Sequence, residues 1–156
     1  MVNLANIFPL LLLPLTLLVG GFAIWQGRSA ERLGGFALIG TLCLQIAMTL
    51  LARPLGFSMR TMAAPLDVAM SLILGLVFLW AALKHNSRWL GFAFIVQGAE
   101  LTVSAYFLGP DTLISPAVYF RLLNIMTMAT VSLLAIATFQ SVSIRRRERR
   151  AAAQVA

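Results

Sequence analysis

Apolar residues run along this chain in five stretches, at 4–25, 33–52, 66–83, 89–109 and 117–139, separated by short polar segments at 26–32, 53–65, 84–88 and 110–116. A helix crosses a hydrocarbon core of about 30 Å with roughly 20 apolar residues. Each stretch approaches or exceeds that length; the third is the shortest and borrows residues from its flanks. The pattern predicts an all-α polytopic membrane protein, a bundle of five transmembrane helices joined by short loops. It places a transmembrane domain at 1–144 and a basic tail at 145–156. No repeat and no separate soluble domain interrupts it.

The first stretch differs from a secretory signal. No basic residue precedes it, and it outruns the about 7–15 residues of a signal core. Positive charge follows instead, at Arg28 and Arg32. That order predicts a retained first span with a translocated N-terminus.

Charge then sets the expected orientation. Arg28, Arg32, Lys84, Arg88 and the tail arginines Arg145, Arg146, Arg147, Arg149 and Arg150 fall on one side of a five-span bundle. Only Arg53 and Arg60 fall on the other, and Arg121 lies inside a span. The positive-inside rule therefore predicts the N-terminus out and the C-terminus in. Trp25, Trp80 and Trp89 lie near the predicted inner boundaries, and Tyr106 and Tyr119 near the outer ones. Amphipathic rings favour the headgroup level, so all five are expected at interfaces.

Composition sharpens the class. The chain of 156 residues is 60% hydrophobic and 11% charged, with mean hydropathy +0.91. Soluble domains average about 45–50% apolar and about 25% charged residues, so lipid is the expected solvent. The net charge of +7 resides in span flanks and the tail rather than on a basic face, which argues against nucleic acid as a partner. The tail predicts contact with anionic lipid headgroups, at about 1 kcal/mol per basic side chain. Docking of an acidic partner is its alternative use.

Within the spans, polar residues are few and informative. Glu100 lies about nine residues from the outer end of the fourth span, hence roughly 13 Å deep at 1.5 Å per residue. A carboxylate at that depth costs on the order of 2.5–3.5 kcal/mol, so it has to be neutral, paired or beside a wet cavity. Gln97 and Ser104, at i−3 and i+4, share its helical face. Matching by depth adds Gln45 on the second span, with Thr41 and Thr49 one turn to either side, and Arg121 and Asn124 on the fifth. These six form the expected intramembrane cluster: Glu100, Gln97, Ser104, Gln45, Arg121 and Asn124. Arg121 has the reach either to pair with Glu100 or to snorkel outward. One reading makes the cluster an interhelical staple that fixes register; the other makes Glu100 a titrating or ligand-binding group.

Other features read as structure first. Asp67, after Pro65, is placed as a carboxylate at a helix N-terminus, with a binding role as its alternative. Asp111 belongs to a Gly-Pro-Asp turn. Pro9 and Pro14 predict a bent but ordinary first helix, or a hinge. Ser71 with Gly75, and Gly34, Gly35 and Gly40, mark places of close helix approach. His85 is the only histidine and Cys43 the only cysteine, which leaves too few ligands for a zinc site or a bis-histidine haem. No cofactor is expected, and the seven methionines read as packing rather than copper ligands.

Five helices of this size also occur in the tryptophan-rich translocator family, but this chain has three scattered tryptophans and none of its Trp-Pro motifs. A different likeness covers roughly residues 24–150. The run Ile24-Trp25-Gln26-Gly27-Arg28 leading to Glu31-Arg32, then Ser87-Arg88-Trp89 opening a span and Gly109-Pro110-Asp111 closing one, resembles small multi-span inner-membrane proteins of alphaproteobacteria. Those proteins have no established activity, so the resemblance implies a bacterial inner membrane and no chemistry.

The leading functional expectation is a non-enzymatic accessory or scaffold subunit, packed against other integral membrane proteins or against itself. The alternative is a small proton-coupled transporter or channel component that uses Glu100. A lipid-modifying enzyme ranks third, because the acidic residues and the single histidine are spread along the chain without a catalytic cluster.

Overall fold

A computed structural model describes residues 4–52, 64–109 and 113–155. It contains five helices and, among the described residues, no strand: α1 (Leu4–Gln26), α2 (Ser29–Ala52), α3 (Ala64–His85), α4 (Arg88–Leu108) and α5 (Pro116–Val155). Four of them, α2 to α5, are long and apolar enough to cross a membrane, whereas the apolar stretch Leu11–Gln26 within α1 is shorter. Such a set is compatible with a multi-pass membrane protein. Arg53, Arg60 and Asp111 lie outside the described residues.

The helices pair as two hairpins, α1 with α2 and α3 with α4, and α5 packs against α1 and α4 to join them. Local chemistry explains both tight turns. Asn86 ends α3 in the left-handed region at φ 48°, a conformation that asparagine tolerates better than most residues. The next amide, Ser87 N–H, donates back to Ala82 O at 3.2 Å, the six-to-one bond of a Schellman cap. At the other turn α2 starts at Ser29, four residues before its apolar stretch, with Glu31 in the first turn where the helix dipole favours an anion.

Two arginines satisfy the carbonyls at the end of α1. Arg32 Nε donates to Gly27 O at 3.0 Å, and an Arg145 guanidinium nitrogen donates to Gln26 O at 3.0 Å. Helix C-termini leave their last carbonyls without intrahelical donors, so this capping ties α5 to α1. α5 runs on as one helix through the basic tail, whose arginine, glutamate and alanine residues are strong helix formers, instead of stopping with its apolar stretch. α1 is likewise continuous across Pro9 and Pro14.

Small residues set the helix spacing. A Cβ on Gly35 would lie 2.7 Å from Gly20 O, so the α1 and α2 backbones meet where no side chain fits. Gly34 leaves room for the Trp89 ring. Around these contacts sits an apolar core of Ala23, Ala30, Leu38, Leu74, Phe78, Ala81, Leu90, Ala93, Val131 and Leu134. Phe78 meets Trp89 edge-on with ring centroids 6.3 Å apart, a geometry that adds about 0.5–1.5 kcal/mol.

This core fills the half of the bundle near Arg28, Arg32 and Arg88, called here the arginine end. The opposite half is polar. A small aromatic cluster caps that half, with Phe107 stacked on Tyr119 at 4.2 Å. Three of the five expected interface aromatics, Trp25, Trp80 and Tyr106, are exposed. The other two depart from expectation. Tyr119 is buried because its hydroxyl has a partner inside the bundle, and Trp89 is drawn inward by the space above Gly34.

Candidate functional site: a carboxylate-lined cavity between the helices

In the polar half the five helices enclose a half-open cavity of about 70 Å³. Each contributes to its wall: Thr16 from α1; Thr41 and Gln45 from α2; Asp67 and Ser71 from α3; Gln97 and Glu100 from α4; Thr127 and Thr130 from α5. Leu38 and Leu74 line it as well and belong to the apolar core. The floor of the cavity is thus the top of the core.

Helical geometry places the acids. Asp67 is three residues into α3, roughly 5 Å from its start. Glu100 is eight residues before the end of α4, roughly 12 Å from the same end of the bundle. Ser71, one turn below Asp67 on the same face, comes level with Glu100 and hydrogen-bonds to it. Gly75, one turn further, packs beside Gln97 of α4, where even a Cβ would make only ordinary van der Waals contact, 3.6 Å from Gln97 Cβ.

Every donor observed on these acids is neutral. Gln45 Nε2 donates to Asp67 Oδ1 at 3.1 Å, and the Tyr119 hydroxyl donates to Asp67 Oδ2 at 2.9 Å. That commits the single phenolic proton, so in the 3.2 Å contact between Ser104 Oγ and the Tyr119 hydroxyl the serine donates. A directed chain runs Ser104 to Tyr119 to Asp67. Glu100 accepts from Gln97 Nε2 at 3.0 Å. Among the described residues no lysine, arginine or histidine lines the cavity. Among the described residues no three His, Cys, Asp or Glu side chains converge as a metal site would require.

Comparison with protein-family models, with curated proteins and with solved structures finds no match to this chain. The reading therefore rests on the side chains themselves.

Of the six residues expected to cluster, Gln97, Glu100 and Gln45 line the cavity, though Gln45 bonds Asp67 rather than Glu100. Ser104 is fully buried and joins through Tyr119. Asn124 is half-buried and Arg121 exposed, and both lie outside the lining. Of the two placements open to Arg121, pairing with Glu100 or snorkelling outward, its exposed side chain matches the second. Thr41 lines the wall and also donates to Ala37 O.

Depth-matching left out Asp67 and Tyr119, and with them the wall residues Thr16, Ser71, Thr127 and Thr130. Asp67 does lie in the first turn of α3, but its side chain is 8% exposed and turned inward. The signal available in the sequence was the spacing Asp67, Ser71, Gly75, one polar or small residue per turn on one face of α3.

The arginine-end residues hold no comparable site. Arg145 caps α1, Arg28 meets Glu148 at 3.4 Å in an exposed ion pair, and Arg146, Arg147, Arg149 and Arg150 are exposed on the helical tail. His85 ends α3 and contacts Ser29 Oγ through Nδ1 at 3.3 Å.

Proposed function

We propose that this protein is a small proton-coupled transporter or channel component in which Asp67 and Glu100 hold the carried cation. The observation that carries this reading is the pairing of two acids in one apolar-floored cavity whose wall, among the described residues, holds no basic side chain. Each ionised carboxylate at membrane depth costs several kcal/mol unless compensated. Neutral amides and hydroxyls compensate in part; a proton or a small cation with water completes the compensation. The size agrees: about 70 Å³ is under half of the roughly 150 Å³ that accepts a benzene molecule. Water and protons fit, whereas most organic solutes do not.

In this reading α1 also spans the membrane, its apolar run completed by residues 4–10. The bundle then has five spans, with the N-terminus outside and the arginine end in the cytoplasm of a bacterial cell. The inner membrane is its site, as the likeness to alphaproteobacterial proteins implies, and the tail arginines rest on anionic headgroups. The cavity faces outward and the apolar core closes it from within.

The test is proton flux into proteoliposomes, followed with a pH-sensitive dye. Glu100→Gln keeps the side-chain shape and removes the charge; it is expected to lower flux at least tenfold. Equal flux from wild type and Glu100→Gln would contradict the reading.

One observation favours a second reading, an accessory subunit of a larger membrane complex. Residues 43–47 of α2 are all exposed, and five consecutive positions cover the full circumference of a helix. Apart from the Gln45 bond to Asp67, this part of α2 therefore turns most of its surface outward, as it would when covered by another protein. Copurification of a stoichiometric membrane partner would support this reading.

A further inference from the structure

The hydrogen bonds around the cavity have a direction in common. Thr16, Thr41, Thr127 and Thr130 each donate the hydroxyl proton to a carbonyl one turn earlier on the same helix, at Leu12, Ala37, Leu123 and Met126. A hydroxyl carries one proton and two lone pairs, so a threonine back-bonded in this way has only acceptor capacity left. Ser71 bonds to Glu100, and Gln97 turns its amide nitrogen to the same acid at 3.0 Å. The wall therefore keeps oxygen lone pairs and directs most of its protons elsewhere.

One of these oxygens is both unpartnered and open. Gln97 is 3% exposed, and no donor among the described residues reaches its Oε1. Packing seals off two unpartnered side-chain atoms, Glu31 Oε2 and Trp89 Nε1. Gln97 Oε1 is not one of them, so it retains contact with open space, and the space that Gln97 lines is the cavity. A buried acceptor without a donor is costly. Water supplies a donor but adds lone pairs to a wall already rich in them; a cation adds none.

We propose that the cavity is a sodium site, in which a monovalent alkali cation is held by Gln97 Oε1, the hydroxyl oxygens of Thr41 and Thr127, and the Glu100 carboxylate. The proposal rests on the reading of Asp67 and Glu100 as a cation site and names its occupant. Zinc and transition metals draw on clustered His, Cys or acid side chains, which are absent among the described residues; oxygen dipoles suffice for alkali ions. At roughly 30 Å³ per water, a cavity of about 70 Å³ is too small for an ion with its full hydration shell, so wall oxygens replace part of that shell. A divalent ion calls for both acids ionised and a monovalent one for a single acid, and each ionised carboxylate is costly at membrane depth. Asp67 and Glu100 are the ionisable side chains of the described wall. In a transport cycle one sodium ion then enters as one carboxyl proton leaves, and the charge inside the membrane is unchanged.

Equilibrium binding of radioactive sodium to the full chain in detergent tests the site, with choline chloride holding the ionic strength. Saturable binding of one ion per chain is expected in wild type. Thr127→Val keeps the side-chain shape and removes the oxygen; it is expected to weaken binding by about tenfold, comparable to losing a bond to a charged group. Thr127→Ser is expected to restore it. Thr138→Val removes the same kind of back-bond, to Leu134, outside the cavity wall, and is expected to bind as wild type does. No saturable binding in wild type, or equal loss in the Thr127→Val and Thr138→Val variants, would overturn the site. Displacement by calcium at lower concentration than by unlabelled sodium would overturn the monovalent assignment. Proton flux without sodium binding would overturn this inference and leave the transport reading standing, whereas sodium binding without flux would do the reverse.

Discussion

The two halves of this bundle use the same helices for opposite ends. Toward the arginine end, contact is made by glycine, alanine, leucine and aromatic rings, and helix backbones approach until Gly35 touches Gly20. Toward the other end the same helices present hydroxyls, amides and two acids around a cavity. In lipid there is little hydrophobic gain from bringing helices together, so close packing and interhelical hydrogen bonds are what hold them. The comparison teaches that one half supplies stability and the other supplies chemistry. Substitutions are expected to separate accordingly.

The largest expected effect is in the packed half. Phe78→Ala empties the centre of the core and is expected to destabilise the protein by about 3–5 kcal/mol, read as a lowered unfolding midpoint in detergent. Proton binding at the cavity should survive below that midpoint. Gly35→Leu forces α1 and α2 apart and is expected to cost about 1–3 kcal/mol; loss of binding without loss of stability would contradict the division.

Smaller effects are expected in the polar half. Tyr119→Phe removes one donor from Asp67 and is expected to cost about 0.6 kcal/mol, with an upper bound near 1.7. It should alter flux, read in proteoliposomes, more than stability, read in the same unfolding series. Arg121→Ala is expected to stay within about 0.5 kcal/mol, because Arg121 is exposed. Were it the buried partner of Glu100, its removal would cost about 3–5 kcal/mol, so this small number tests the outward placement.

Much of the fold was legible because hydropathy and helix length are one-dimensional properties. Helix order, approximate bounds and the depth of each polar residue all follow from counting along the chain. Rotation about each helix axis does not. Gln97 and Glu100 share a face whatever the rotation, since i and i+3 are neighbours, and their hydrogen bond was accordingly within reach. Arg121 and Glu100 sit on different helices, where equal depth does not fix direction. Tyr119 was read as an interface ring from its position near a span end; what turns it inward is Asp67, a long-range partner. Asp67 itself was read as a helix-start acid, which describes its backbone position and leaves open where the carboxylate points. The bond from Arg145 at the start of the tail to Gln26 O of α1 is again a contact between distant residues.

The central claim is that water and small cations enter the carboxylate-lined cavity and not the apolar core beneath it. Silver ion, a small thiol-binding cation, probes it directly when cysteine is introduced at Ser71 or at Ala93 in a Cys43→Ser background. After brief exposure of proteoliposomes to Ag⁺, the protein is denatured and the thiols still free are counted by mass spectrometry. Cysteine at position 71, in the cavity wall, is expected to be protected at least tenfold faster than cysteine at position 93, within the core. Equal rates at the two positions would contradict the account.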